Sequence, residues 1–338
     1  MSTFEFLHKL KQSGVKVWME DDRLRCTGPE QVLMGDVREQ LSARKLEIIA
    51  FLRSAAGSEG GSSTSVIPIQ PLGSRRPLFA VPGHNGDVFC YVDLARHLGT
   101  DQPFFALQAP GMEPGQDPLT SIDAIATVFA RDIAAVQPQG PYLLAGFCVG
   151  GTIAFDLAQQ LTARGHQVIL LVLFGAPCPT ALALRYRSQA AVMNAAGRVM
   201  RHGSALGQRR PSEWSQYLRE RAAERRADRE RERHDPLRLR LAETTVEAFK
   251  AYQPKAASFP VHMLIPNDQP DSLLEDRPLD WNLFAKDFTV HLGPPDGDMN
   301  TMLLEPHVSL FAKLLRKTLL EADPPQTALS ADDSDGGR

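Results

Sequence analysis

From Pro77 onward the sequence alternates between two kinds of segment, and this alternation limits the possible folds more than any other feature of the chain. "LFAVPG", "FFALQAPG", "YLLAGF", "VILLVLFG", "VHMLIPN" and "FTVHLGP" are short apolar runs rich in Val, Leu, Ile and Phe, the pattern of strands covered on both faces. Between them lie amphipathic stretches such as "SIDAIATVFARDIAAVQ", opened by a Thr120–Asp123 capping box, and "TIAFDLAQQLTARG", closed by Gly165. Strand alternating with helix predicts an α/β architecture with a doubly wound, mostly parallel sheet, whose ligands sit at the carboxyl ends of the strands. Residues 180–250 break the alternation: they hold no strand signal but include the charged helical run "EWSQYLRERAAERRADRERERHD". Its mixed charges read as a solvated face, and its place between two strands predicts a helical lid.

In front of this domain, "SAAGSEGGSSTS" (residues 54–65) has small and polar residues with no apolar period, the composition of a flexible tether. The expected organisation is a front module over 1–53, a linker over 54–70, a main domain over 71–321 and a disordered acidic tail over 322–338. The front module opens with "FEFLHKLKQS", apolar at helical spacing and ended by Gly14. "VKVWME" and "RLRCTG" alternate around Asp21–Asp22, a hairpin signal, and two helical stretches follow from Glu30 to Arg53. So short a module buries little apolar area, and self-association is expected of it.

The order of these segments, with "GVKVW", the acidic turn, "RLR" and "LSARKLEIIAFLR", resembles the tubulysin-type N-terminal docking domain of nonribosomal peptide and polyketide synthases. The resemblance implies a homodimer whose hairpin binds the acidic C-terminal tail of an upstream synthase. Lys16, Arg23 and Arg25 on a short hairpin, with Trp18 among them, suit capture of an acidic peptide by strand addition.

Chemistry concentrates at "GFCVGG", which has the glycine spacing of a G-x-S-x-G nucleophile elbow with Cys148 where serine is usual. The apolar run before it and the helix expected from Thr152 supply the strand, sharp turn and helix that the motif requires. A helix N-terminus lowers a thiol's pKa and points the Val149 N–H at a developing oxyanion. A second donor is expected from "VPGHNGDV", near Gly83 or His84.

Residues 77–320 resemble the thioesterase domains of peptide and polyketide synthases, through "PLFAVPGHNGDVFCYVDLARHLGTDQPFFALQAPG", the elbow segment and "TMLLEPHVSLF". The resemblance implies an α/β-hydrolase fold, a lid, and an acyl group delivered on the phosphopantetheine arm of a carrier protein. The chain departs from that pattern in three places. Cys148 replaces serine; Gly175 in "VLFGAP" stands where a triad aspartate is frequent; and Met299 in "GDMNTMLLEP" stands where the triad histidine is usual. Asp268, after "VHMLIPN", lies where other α/β-hydrolases keep their acid, and His84 is the best remaining candidate for a base. His307 reads as structural, His262 and His291 as core or edge residues, and Cys90 and Cys178 as packing residues.

A hydroxyl nucleophile needs a neighbouring base, and so does water attacking an acyl-enzyme. A thiol, with a free pKa of about 8.5, needs far less help. Cysteine without histidine therefore favours passing the acyl group to another thiol over hydrolysis. This pattern resembles the aminoacyl-shuttling members of the family, as in coronamate and syringomycin biosynthesis. The expected function is acyl transfer from a carrier thioester onto Cys148 and on to an acceptor. The alternatives are a releasing thioesterase or cyclase, with His84 and Asp268 forming a displaced triad, and a noncatalytic carrier-binding protein. The net charge of −3 and the lack of nucleic-acid motifs argue against a nucleic-acid partner. No apolar run suits a signal peptide or membrane span, which predicts a cytoplasmic protein. The four scattered cysteines form no metal motif, and neither metal nor bound cofactor is expected.

Overall fold

The computed structural model of the chain describes most of residues 6–49, and residues 64–112, 116–179, 236–267, 280–294, 299 and 301–324. In the front module β1 (Lys16–Glu20) and β2 (Arg23–Thr27) pair antiparallel, followed by α1 (Glu30–Leu33) and α2 (Asp36–Ala43). Phe6, Leu7, Leu10, Val15, Leu41 and Ile48 form a small core, against which Val17 and Leu24 lean. The register puts Lys16, Trp18, Arg23 and Arg25 on the opposite face of the hairpin, with Trp18 directly across from Arg25. Trp18 and Arg25 are exposed there; the side chains of Lys16 and Arg23 lie outside the described part of the structure.

The main domain is built on one sheet in the order β3-β5-β4-β6-β7-β8-β9. Its strands are β3 (Val66–Gln70), β4 (Leu78–Val81), β5 (Phe104–Leu107), β6 (Tyr142–Phe147), β7 (Val168–Phe174), β8 (Val261–Ile265) and β9 (Phe288–Leu292). All the apolar runs read from the sequence are strands, and they are mutually parallel. Strand β3 is antiparallel to β5 and corrects the expected linker, which extended to residue 70. "VIPIQ" lacks alternation because Val66, Ile67 and Ile69 are all buried, and Pro68 is tolerated because the strand lies at the sheet edge. The unit starts by Ser65, whose N–H donates to the buried Asp132 carboxylate at 2.7 Å.

Side chains alternate across the sheet into two cores. Leu78, Ala80, Leu143 and Ala145 face α3 (Val92–Leu98) and α7 (Val308–Ala322); Phe79, Val81, Tyr142 and Leu144 face α4 (Ile122–Val136), α5 (Val149–Ala163) and α6 (Pro236–Ala251). Each fully buried Leu or Phe contributes about 1.5–3 kcal/mol by leaving water. The cap of α4 is Ser121, not Thr120: its hydroxyl accepts from the Ala124 N–H at 3.2 Å, and its backbone is extended as an N-cap requires. Helix α5 starts at Val149, ahead of the expected Thr152. Of the lid interval, α6 is described, and residues 180–235 lie outside the described residues. The start of the expected tail is ordered, since α7 runs to Ala322 and Asp323 meets Arg76 at 3.3 Å. Among the described residues no helix is long and apolar enough to cross a membrane.

Candidate active site

Strand β6 delivers Cys148 into a turn that an ordinary residue avoids: φ is 53° and ψ −129°. Such a conformation costs about 1–3 kcal/mol, and the surroundings must hold it. Here the Cys148 N–H donates to the Phe174 carbonyl at 3.0 Å, and the Gly151 N–H to the Cys148 carbonyl at 3.0 Å. Gly150 is required by close approach, because a β-carbon there would run into the Pro82 carbonyl oxygen and lie 2.6 Å from that of Val81. Cys148 is half-buried at the N-cap of α5, and Val149 is the first helical residue, with its N–H at the positive end of the helix. This strand, strained turn and helix make up the backbone geometry of a nucleophile elbow.

Across from the elbow, the segment after β4 makes a tight turn closed by the Gly86 N–H on the Gly83 carbonyl at 2.9 Å. Asn85 accepts from the Asp87 N–H at 3.2 Å, and Asp87 accepts from the Phe89 N–H at 3.3 Å, opening the short helical turn Val88–Tyr91. A β-carbon on Gly83 would stand 3.9 Å from the Cys148 β-carbon, so the start of the turn borders the nucleophile. Gly83, Cys148 and Val149 thus lie close together at the ends of β4 and β6. His84 follows Gly83 in the turn and is exposed; Asp268 lies outside the described residues.

Sequence reasoning missed Tyr91. Its buried hydroxyl donates to the Val81 carbonyl at 2.6 Å and faces the Phe147 N–H, joining the ends of β4 and β6 just before the turn and the elbow. Burial holds this phenol well above its ordinary pKa; Cys90 and Cys148 push the same way and the Phe147 N–H opposes them. Tyr91 therefore stays neutral and acts as a tie between the two halves of the site. The only signal in the sequence was its nearness to "GHNGDV".

The two positions that would carry a triad's acid and histidine meet in space, and neither titrates. Gly175 has φ 52°, and its open side is filled by Met299, whose Sδ lies 2.5 Å from where a β-carbon at 175 would be; Met302 Sδ lies at 3.4 Å. Cys178 is buried, and burial, reinforced by Asp280, pushes its thiol up to about 12, which excludes it as a nucleophile at neutral pH. His262 and His291 sit on β8 and β9, stacked and joined Nδ1 to Nε2 at 2.9 Å, away from the elbow strand. Cys90 packs against the core shared by α3 and α7, and His307 holds the N-cap position of α7 without a side-chain capping hydrogen bond.

A thiol on a strained turn between the central strand of a mostly parallel sheet and the helix that follows it is the arrangement of an α/β-hydrolase fold. Residues 76–287 match the thioesterase domain, and the chain belongs to that family. Residues 4–54 match the TubC N-terminal docking domain. Among curated relatives, atromentin synthetase invA5 of Paxillus involutus is 37% identical over 112 residues, 33% of this chain and 12% of that protein. Inactive atromentin synthetase invA4 of the same organism is 40% identical over 103 residues, 30% of this chain and 11% of that protein. The chain therefore matches only a small part of these relatives' length. Among solved structures, the four-domain nonribosomal peptide synthetase AB3403 aligns with 94% of this chain and 25% of its own, with a TM-score of 0.61 and 20% identity. The NocB thioesterase domain, in covalent complex with a fluorophosphonate nocardicin G analog, aligns with 75% of this chain and 99% of its own, with a TM-score of 0.52 and 21% identity. At such identities both likenesses speak for the fold alone.

Proposed function

We propose that this chain is an acyl-transferring enzyme that works in trans on carrier proteins of a nonribosomal peptide or polyketide pathway, with Cys148 as the acyl acceptor. The reading rests on Met299 seated against Gly175, which puts a thioether where the base and its orienting acid would stand. The Cys148 thiolate attacks the carrier thioester carbonyl; the oxyanion is received by the Val149 N–H and by the turn at Gly83–His84. Collapse breaks the bond to the pantetheine sulfur, which leaves as a thiolate and takes up the proton that Cys148 released to solvent. One thioester replaces another, so the step is near thermoneutral, and a second carrier's pantetheine thiol reverses it to collect the acyl group. With a thioether at the position where the family's histidine is usual, water is without that base and reacts slowly. The phosphopantetheine arm belongs to the substrate. The front module serves docking: its match to a docking domain and the outward face carrying Trp18 and Arg25 suit an acidic tail of an upstream synthase.

Intact-protein mass spectrometry after mixing with an acyl-loaded carrier tests this, with a Cys148→Ala control and a second, empty carrier added later. The acyl mass is expected on the wild type only, persisting in buffer and moving to the second carrier. Free acid or a cyclised product without accumulation would instead make the enzyme a releasing thioesterase. Full function in the Cys148→Ala variant would make it a noncatalytic carrier-binding protein.

A further inference from the structure

Helix α6, which closes the interval read as a lid, bears on the turn opposite Cys148. Leu241 is 1% exposed, and its Cδ2 lies 2.7 Å from where a β-carbon at Gly86 would stand, with Met112 Sδ 3.7 Å from the same point. Gly86 has φ 66°, and its N–H closes the turn on Gly83. At the next residue, Asp87 pairs with Arg238 of α6 at 3.4 Å while capping the Phe89 N–H. An apolar seat and an ion pair therefore join α6 to the end of the same turn whose start borders Cys148. A third link, Arg240 to Asp117 at 2.8 Å, is exposed on both sides and adds little.

We infer that Leu241 and Arg238 are positioning residues that make α6 and the oxyanion turn move as one body. The donors near Gly83 and His84 meet the acyl oxygen when α6 is seated on Gly86 and lose that alignment when it lifts. This rests on the reading of Cys148 as an acyl acceptor. Loss of a single oxyanion donor costs about 10²–10³ in rate, and a misplacement of about 1 Å can cost 10²-fold, so a small movement of α6 is enough to control the transfer step. The thiol itself is left alone, because α6 touches the turn and the elbow is held by β7 and α5. A carrier that displaces α6 on arrival would thus switch carbonyl activation without changing the nucleophile.

The full chain is compared with Leu241→Ala, Leu241→Met and Arg238→Gln, using two reagents on Cys148 and site-resolved peptide masses. The acetyl thioester of N-acetylcysteamine needs the oxyanion donors; iodoacetamide, in which the thiolate displaces iodide at a saturated carbon, does not. Leu241→Ala is expected to slow acetylation roughly 10- to 100-fold and leave alkylation within about 2-fold. Leu241→Met should restore most of the rate, and Arg238→Gln should cost about 3-fold at low salt and less at high salt. Amide hydrogen exchange over residues 83–89 should quicken in step with the loss. Equal loss of both reactions, or unchanged exchange over 83–89, overturns the inference. Should Leu241→Ala fail to fold, Arg238→Gln decides it by the same two rates and the exchange. A wild type that is alkylated but never acetylated, while exchange over 83–89 still responds, sinks the acyl-acceptor reading and leaves the link between α6 and the turn standing.

Discussion

Met299 fills the space that Gly175 leaves open: its Sδ lies 2.5 Å from the point where a β-carbon at residue 175 would stand. Gly175→Asp alone is therefore expected to destabilise the protein by about 1–3 kcal/mol, through the positive φ and the displaced thioether. Met299→His alone introduces a base without an acid to orient it. The double variant, with both groups adjacent, is expected to shorten the lifetime of the acyl-enzyme at Cys148 about 10²-fold, the lower range of general-base catalysis. Denaturant midpoints and time-resolved intact masses measure the two effects. An acyl-enzyme that persists unchanged in the double variant would mean that something other than the missing base excludes water.

Cys148→Ser isolates the nucleophile. The serine hydroxyl is smaller and suits the same turn, so thermal stability should change little. Without a base, acylation should fall roughly 10³-fold. A serine variant within 10-fold of the wild type would reveal a base at the site and make His84 the first residue to replace.

Two glycines at different ends of α5 should respond differently to alanine. At Gly150 the added methyl runs into the Pro82 carbonyl, so Gly150→Ala is expected to cost more than about 2 kcal/mol and to disturb the turn that follows Pro82. At Gly165 nothing lies within 4 Å of the added carbon, and only its φ of 84° opposes the change, at about 1 kcal/mol. Chemical denaturation of both variants tests the contrast; equal costs would show that the approach of Pro82 to Gly150 is not tight in solution.

The His262–His291 pair predicts a pH dependence of stability. Burial lowers both pKa values; His291 adds to the effect on His262 against Asp287 and Glu321, while at His291 Glu321 opposes and Lys317 adds. With folded values below the ordinary 6.5, the unfolded chain binds more protons as pH drops. The pair's contribution is full above pH 6.5 and is lost as pH falls through the lowered values. Replacing both by glutamine should flatten the denaturation midpoint between about pH 7 and 5; an unchanged slope would place the titration elsewhere.

Much of this architecture was legible because each signal was local. A parallel strand buried on both faces reads as a continuous apolar run, and a glycine-flanked cysteine between strand and helix reads as an elbow. Strand β3 was not legible, since a short edge strand containing Pro68 looks like the end of a tether until β5 pairs with it. The links from Tyr91 to Val81 and from Leu241 to Gly86 join residues whose partners only the fold brings together. That Met299 stands where the resembled family's histidine is usual could be read in one dimension; that it rests on Gly175 could not.

The antiparallel direction of β3 settles where the front module is attached. Val66 pairs with Leu107 at the carboxyl end of β5, so the chain joins the sheet on the side where Cys148 follows the carboxyl end of β6. On the proposed reading, a partner held by the front module would be tethered to the side of the sheet that carries Cys148. For a carrier so held, each delivery would be an intramolecular search, which for tethers that are short and flexible corresponds to a local concentration on the order of millimolar. A weak docking contact would then be enough to sustain repeated delivery, because the partner need not hold tightly to be presented often.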